Sequence, residues 1–173
     1  MAESKGSRSR WRFLGRRSGE PETTFEGDGY SFNYPSEWRE RSFAVGVEEG
    51  AAASLVGFGP GGHDDGLIFG IYHLSFAVTE RNIDRFAAET AEDVKEGFQG
   101  RISEGPTLAT VAGRPAFQLE LSSEKPGGPP IQSRMIFVFD GTTEYFFNFQ
   151  FTRQRAEEMN QGCERVVNIF RIE

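Results

Sequence analysis

Residues 144–152 read EYFFNFQFT, and this short stretch decides the fold. Aromatic side chains recur at every second position from Tyr145 to Phe151, and polar Asn148 and Gln150 stand between them. A period of two is typical of a β-strand with one face toward a core. Residues 131–139, IQSRMIFVF, place Ile131 and Met135 on one face in the same way. The two stretches therefore predict an antiparallel hairpin that turns around residues 140–142.

The two aromatic faces can share one side of the sheet only if the hairpin has one particular register. A three-residue loop, 140–142, gives this register and pairs Phe137 with Tyr145. A two-residue turn at Asp140-Gly141 would turn one strand over unless a bulge corrected it. The three-residue loop also sets Arg134 opposite Asn148. We therefore expect a hairpin with one apolar face and one polar face.

Further elements extend outward from the hairpin. Strands are predicted at 29–35, 42–48, 52–58, 67–76, 107–112 and 115–122, and helices at 83–98 and 153–170. The helix at 83–98 has an apolar stripe at spacings of three and four, and Asn82 is a candidate N-cap. Strands, helix, strands and helix in that order predict an α+β fold, with an antiparallel β-sheet flanked by helices. We expect a disordered basic tail at 1–24 and a single domain at 25–173.

Composition excludes several kinds of site. Of the 173 residues, 17 are Phe, which supplies the apolar area that a folded core needs. One Cys excludes a disulfide framework and a Cys-based zinc site, and two His leave little for a His-based site. No apolar run approaches the ~20 residues of a membrane-spanning helix. We expect no metal, no cofactor and no enzymatic activity.

Charge is distributed unevenly along the chain. Residues 1–18 hold six basic residues and one acidic residue, a net charge of +5, whereas residues 19–173 hold 13 basic and 25 acidic residues, a net charge of −12. A domain with so negative a net charge repels the phosphate backbone of nucleic acids, so we expect no nucleic-acid binding by the folded domain.

The basic tail carries the first candidate site. Trp11, Arg12, Arg16 and Arg17 combine an aromatic ring with cations, which suits an acidic protein partner or weak contact with a membrane surface. The alternative is a solubilising tail without a binding role. Ser18–Glu22 follow Arg16-Arg17 in place of the apolar segment of a secretory signal, so we expect a cytoplasmic protein.

Three short motifs lie in an order that resembles the PsbP-like family. They are Gly29–Trp38 (GYSFNYPSEW), Val111–Ala116 (VAGRPA) and Val167–Arg171 (VNIFR), and the resemblance extends over residues 25–172. The family includes the extrinsic subunit of photosystem II and a nuclear import factor that binds a Ran-type GTPase. The resemblance, which is to uncharacterised actinobacterial-type members, implies an α/β/α sandwich and binding of protein partners without a catalytic constellation.

The second candidate site is the polar face of the predicted hairpin and its neighbouring strand. Gln118, Glu120, Arg134 and Asn148 would line a ligand cleft if a helix or loop covered them. The alternative is a solvated sheet face, which is common in antiparallel sheets.

Two other groups of residues have ordinary structural readings. His63-Asp64-Asp65 offers too few ligands for a transition metal and is expected to be a polar turn. Cys163 lies on the apolar stripe of the last helix and is expected to be a buried small hydrophobe. The sequence therefore predicts a non-enzymatic module that binds a protein partner or assists an assembly. The alternative is a module that binds a small molecule or lipid on the polar sheet face.

Overall fold

A computed structural model describes residues 21–41, 54–60, 65–97, 100–123 and 127–173. The predicted strand at 42–48 lies outside these residues. In chain order the elements are β1 (Glu22–Gly27), β2 (Tyr30–Pro35), β3 (Trp38–Arg41), β4 (Ser54–Pro60), β5 (Gly66–His73), α1 (Ile83–Gly97), β6 (Gly100–Val111), β7 (Arg114–Ser123), β8 (Ile131–Asp140), β9 (Thr143–Thr152), a one-turn 3₁₀ helix (Arg153–Arg155), α2 (Ala156–Ile169) and β10 (Arg171–Ile172).

Two antiparallel sheets form the framework. Within the described residues, the larger sheet has seven strands in the order β3-β4-β5-β9-β8-β7-β6, and the smaller has three in the order β1-β2-β10. The fold class predicted from the sequence, α+β with an antiparallel sheet and flanking helices, is confirmed. The first of the described strands starts at Glu22, within the range 1–24 predicted for the tail.

The register predicted for the β8–β9 hairpin is wrong. Val138 pairs with Tyr145 and Asp140 with Thr143, so the turn has two residues, Gly141 and Thr142. Gly141 has φ of 63°, which a tight two-residue turn favours and which glycine adopts without a steric cost. A shift of one residue places the aromatic sets of β8 and β9 on opposite faces of the sheet.

That register is stable because both faces of the large sheet are covered. On one face the rings of β9 pack with β2 and α2; this cluster includes Phe32, Phe147, Phe149, Met159 and Val166. On the other face the rings of β7 and β8 pack under α1; this cluster includes Ile83, Ala87, Phe117, Phe137 and Phe139. The solvated sheet face that the sequence left open as an alternative is not observed among the described residues, because α1 covers one face and α2 with β2 covers the other.

The residue before α1 has a different role from the one predicted. Asn82 accepts a hydrogen bond from the backbone N–H of Thr79 at 2.7 Å and donates one to the Ala77 carbonyl at 2.9 Å. Its side chain therefore fixes the preceding turn and is not bonded to the first helical N–H groups. Its carbonyl accepts from Phe86 N–H at 3.1 Å, which begins the helical ladder.

Candidate functional site

The tail residues Trp11, Arg12, Arg16 and Arg17 lie outside the described residues. His63 and Asp64 of the expected polar turn also lie outside the described residues. Asp65 is described and is buried: its Oδ1 accepts a hydrogen bond from the Thr152 backbone N–H at 2.8 Å, and its Oδ2 lies 3.7 Å from Arg155 Nε. Asp65 thus joins the start of β5 to the segment that leads into α2, which is a structural role.

The four residues predicted to line a polar cleft do not form one surface. Arg134 pairs with Phe149 rather than with Asn148, and Asn148 lies opposite Met135, on the face toward α1. Asn148 is buried there, and its Oδ1 has no hydrogen-bond partner among the described residues. The predicted set therefore divides three to one between the two faces of the sheet.

Gln118, Glu120 and Arg134 meet on the face toward α2. Glu120 Oε1 accepts hydrogen bonds from Gln118 Nε2 at 3.1 Å and from Arg134 Nε and Nη2 at 3.2 and 3.0 Å. All three donors contact Oε1, so this half-buried carboxylate is stabilised by groups of the protein itself and forms an internal network with Gln118 and Arg134.

Cys163 lies against this ion pair. Its thiol is buried, and Arg134 Nη1 lies 3.9 Å from Sγ. Burial raises the pKa of the Cys163 thiol to about 12, although the Arg134 charge acts in the opposite direction. The thiol is protonated at neutral pH, which agrees with the predicted role as a small hydrophobe and not with that of a nucleophile.

A surface groove lies between the β2–β3 corner and the first turns of α2. We call it the Trp38 groove; it encloses about 600 Å³. Its lining residues are Pro21, Pro35, Glu37, Trp38, Gln154, Glu157, Glu158, Gln161, Gly162 and Arg165.

The wall of this groove is fixed by contact between Trp38 and Gly162. Trp38 is 2% exposed, and a Cβ at Gly162 would come within 2.6 Å of Trp38 Cζ2. Any side chain at position 162 would displace the indole, so the glycine inside α2 makes room for it. The Trp38 Nε1–H is buried without a hydrogen-bond acceptor among the described residues.

The groove is acidic. Three of its lining residues are carboxylates, Glu37, Glu157 and Glu158, and Arg165 is the basic residue among those described. Glu158 has only a long contact with Arg155, 3.9 Å between Oε1 and Nη1, with both side chains well exposed. Exposed pairs of this length contribute little, so the carboxylate stays open to another cation.

Sequence reasoning did not find this site. The signal was present in two places: a Trp directly after the Ser36-Glu37 turn, and a glycine on the apolar stripe of an amphipathic helix. A glycine at such a position indicates a close approach by a bulky neighbour, here Trp38, rather than only a loss of helix stability.

A second ionisable group lies in the core on the other face. Glu144 on β9 is only 9% exposed, and burial raises its pKa to about 7. Tyr72 lies opposite it on β5, and the pKa of Tyr72 is also raised, first by burial and then by the Glu144 charge. Among the described residues, no group of three or more His, Cys, Asp or Glu side chains is placed to hold a metal ion.

Known proteins resemble this chain in structure. No protein-family model matches it, and no curated protein matches it in sequence. Cyanobacterial PsbP (CyanoP) from Synechocystis superposes with a TM-score of 0.63 at 17% identity, covering 93% of this chain and 98% of that one. LpqN, involved in cell envelope biogenesis of Mycobacterium tuberculosis, superposes with a TM-score of 0.58 at 13% identity, covering 90% and 87%.

A Bacteroides thetaiotaomicron protein is also similar, with a TM-score of 0.55 at 15% identity; the match covers 87% of this chain but only 48% of that one. In the part of the chain that the structure describes, neither helix has the length and apolar character needed to cross a membrane. The agreement with the cyanobacterial protein over nearly the full length of both chains confirms the resemblance seen in the three sequence motifs: this chain has a PsbP-like fold.

Proposed function

We propose that the chain is a non-enzymatic binding module that takes a basic segment of a protein partner into the Trp38 groove. The observation that carries the proposal is a groove of about 600 Å³ that lies against the buried Trp38 and is lined by three carboxylates. A groove of this kind positions an extended segment by shape and selects cationic side chains by charge.

The strength of such binding follows from the solvent exposure of the charged side chains in the groove. Each exposed ion pair contributes roughly 0.2–1 kcal/mol, so three pairs together contribute on the order of 1.5 kcal/mol, about tenfold in affinity. Exposed charges are screened by salt, so the affinity falls as ionic strength rises. Weak, salt-sensitive binding suits a module that joins and leaves an assembly.

Fluorescence anisotropy with a fluorescein-labelled octa-arginine peptide tests the proposal. The protein is the full chain with Lys5, Arg8, Arg10, Arg12, Arg16 and Arg17 changed to Gln, so that its own basic residues do not compete. A groove variant adds Glu37→Gln, Glu157→Gln and Glu158→Gln. A control variant adds Glu89→Gln, Glu92→Gln and Glu96→Gln, which make the same change of charge on α1, at the opposite face.

We expect the groove variant to bind the probe about tenfold more weakly and the control variant to lose much less. If both variants lose the same affinity, the acidity of the whole domain explains binding, and the proposal is wrong. The cytoplasmic location expected from the sequence stays a prediction, which cell fractionation tests.

A further inference from the structure

We propose that the basic arm of this same chain, residues 5–17, occupies the Trp38 groove and competes there with the partner. This inference rests on the proposed function, because it assigns the groove an internal occupant that the partner must displace. The contact would make the module autoinhibited: binding in trans requires release of the arm in cis.

The first support is the point at which the arm meets the folded domain. Pro21 directly lines the groove, and its carbonyl accepts a hydrogen bond from the Ser36 backbone N–H at 3.2 Å. Pro21, which directly follows the arm and its short linker in the sequence, is therefore held at the groove rim.

The second support is reach. Arg17 precedes Pro21 by four residues, and an extended chain spans at most ~3.6 Å per residue, so Arg17 lies within about 14 Å of the anchor. A groove of about 600 Å³ is on the order of 10 Å across if it is treated as a sphere. Arg16 and Arg17 can thus reach carboxylates on either side of the groove without a long connecting loop.

The third support is charge complementarity. The arm carries Lys5, Arg8, Arg10, Arg12, Arg16 and Arg17. The groove presents three carboxylates from two separate elements, one from the β2–β3 corner and two from α2. Arginine suits such a surface, because its planar guanidinium donates two parallel hydrogen bonds to one carboxylate.

Tethering makes the competition effective even though the ion pairs are weak. A short flexible tether gives an effective concentration on the order of 1 mM at a site beside its anchor. If a free basic peptide binds the groove with a dissociation constant of about 0.1 mM, the tethered arm weakens the apparent affinity of a competitor about tenfold.

The test compares the wild-type full chain with the arm-neutral chain, in which the six basic arm residues are Gln. The octa-arginine probe is titrated into both, with and without the three groove substitutions. We expect the arm-neutral chain to bind the probe about tenfold more tightly than wild type, and we expect this difference to disappear once the groove carboxylates are Gln.

A second measurement does not depend on the probe. Backbone amide NMR shifts of Glu157 and Gln161 are compared between the wild-type and arm-neutral chains, with the amides of Glu89 and Glu92 on α1 as controls. We expect shifts at the groove positions only, and we expect high salt to abolish them.

The failures of the two proposals are distinguishable. If wild type and arm-neutral chains bind the probe equally, while the groove substitutions still weaken both, the arm does not compete and only this inference is overturned. If the groove substitutions leave probe binding unchanged, the proposed function is overturned. If the amides of Glu157 and Gln161 do not respond to neutralising the arm, the inference is wrong whatever the probe does.

Discussion

Replacing Glu144 by Gln should stabilise the protein, although it alters a residue in the middle of the large sheet. The fold buries this carboxyl between β5 and β8, and burial raises its pKa from 4.5 to about 7. Folding therefore favours the protonated form. At any pH at which the unfolded chain has lost this proton, the folded state either retains it or holds a buried charge, and both reduce stability.

The size and sign of the effect follow from that shift. Below about pH 4.5 the carboxyl is protonated in both states and costs nothing. As the pH rises toward 7 the cost grows, and above 7 it reaches about 3 kcal/mol, because each pKa unit corresponds to 1.36 kcal/mol. Gln resembles the neutral acid in shape and does not ionise. The gain from Glu144→Gln should therefore be near zero at low pH and about 3 kcal/mol in mild alkali.

Urea unfolding near pH 4.5 and near pH 8.5 measures the gain, and thermal unfolding should show a rise in Tm of roughly 6–12 °C at the higher pH. The matched control is Glu26→Gln, an exposed strand position on β1, which should change neither value at either pH. Glu144→Met supplies a second variant without a buried amide, so that an unsatisfied Gln side chain is not mistaken for the absence of an effect.

The reasoning is refuted by a stability difference that does not depend on pH. It is also refuted if both Glu144→Gln and Glu144→Met are less stable than wild type near pH 8.5. Either result would show that the carboxylate is stabilised in the fold by partners that outweigh its burial.

Three other substitutions or reactions test the structure. Gly162→Ala should lower the free energy of unfolding by roughly 1–2 kcal/mol, because overpacking against Trp38 exceeds the gain of about 1 kcal/mol in helix propensity. In a Trp38→Leu background, urea unfolding should show that this loss shrinks or reverses. Asp65→Asn should cost about 1–2 kcal/mol in the same assay through its weaker bond to Thr152 N–H, and an unchanged midpoint would contradict that role. Cys163 should react with a thiol reagent such as DTNB only as the chain unfolds; rapid reaction of the native protein would disprove its burial.

The pattern of apolar residues along the chain was enough to predict β7, β8 and β9 of the large sheet. β7 and most of β9 alternate apolar and polar residues, whereas β8 is apolar at every position from Met135 to Phe139. The helix stripes at 83–98 and 153–170 follow from a change of period. These patterns are local, because each strand buries its own row of side chains whatever the arrangement of the other elements. Their agreement with the order of elements is what made the fold class predictable.

Register was not predictable from the same pattern. The hairpin prediction assumed that the aromatic sets of both strands lie on the same face of the sheet, which requires Phe137 to pair with Tyr145. With α1 over one face and α2 with β2 over the other, Phe137 and Tyr145 gain burial on opposite sides, and a two-residue turn becomes the better solution. The number of layers is a long-range property, and no window of the sequence contains it.

The candidate polar cleft failed for the same reason. In the observed register Asn148 lies on the face toward α1, whereas Gln118, Glu120 and Arg134 lie between the sheet and α2. Buried polar groups must find partners, so Glu120 and Arg134 pair with each other. Residues that look like a ligand surface in an alternating strand become an internal ion pair when a helix covers them.

The Trp38 groove shows how a site can arise from a packing requirement. Trp38 is buried against α2, and burying so large a ring demands the absence of a side chain at position 162. The same contact holds the β2–β3 corner a fixed distance from the first turns of α2, where Glu157 and Glu158 face outward. The acidic groove is therefore a consequence of how the indole is accommodated. A substitution that disturbs Trp38 or Gly162 should alter stability and binding together, whereas neutralising the rim carboxylates should alter binding alone.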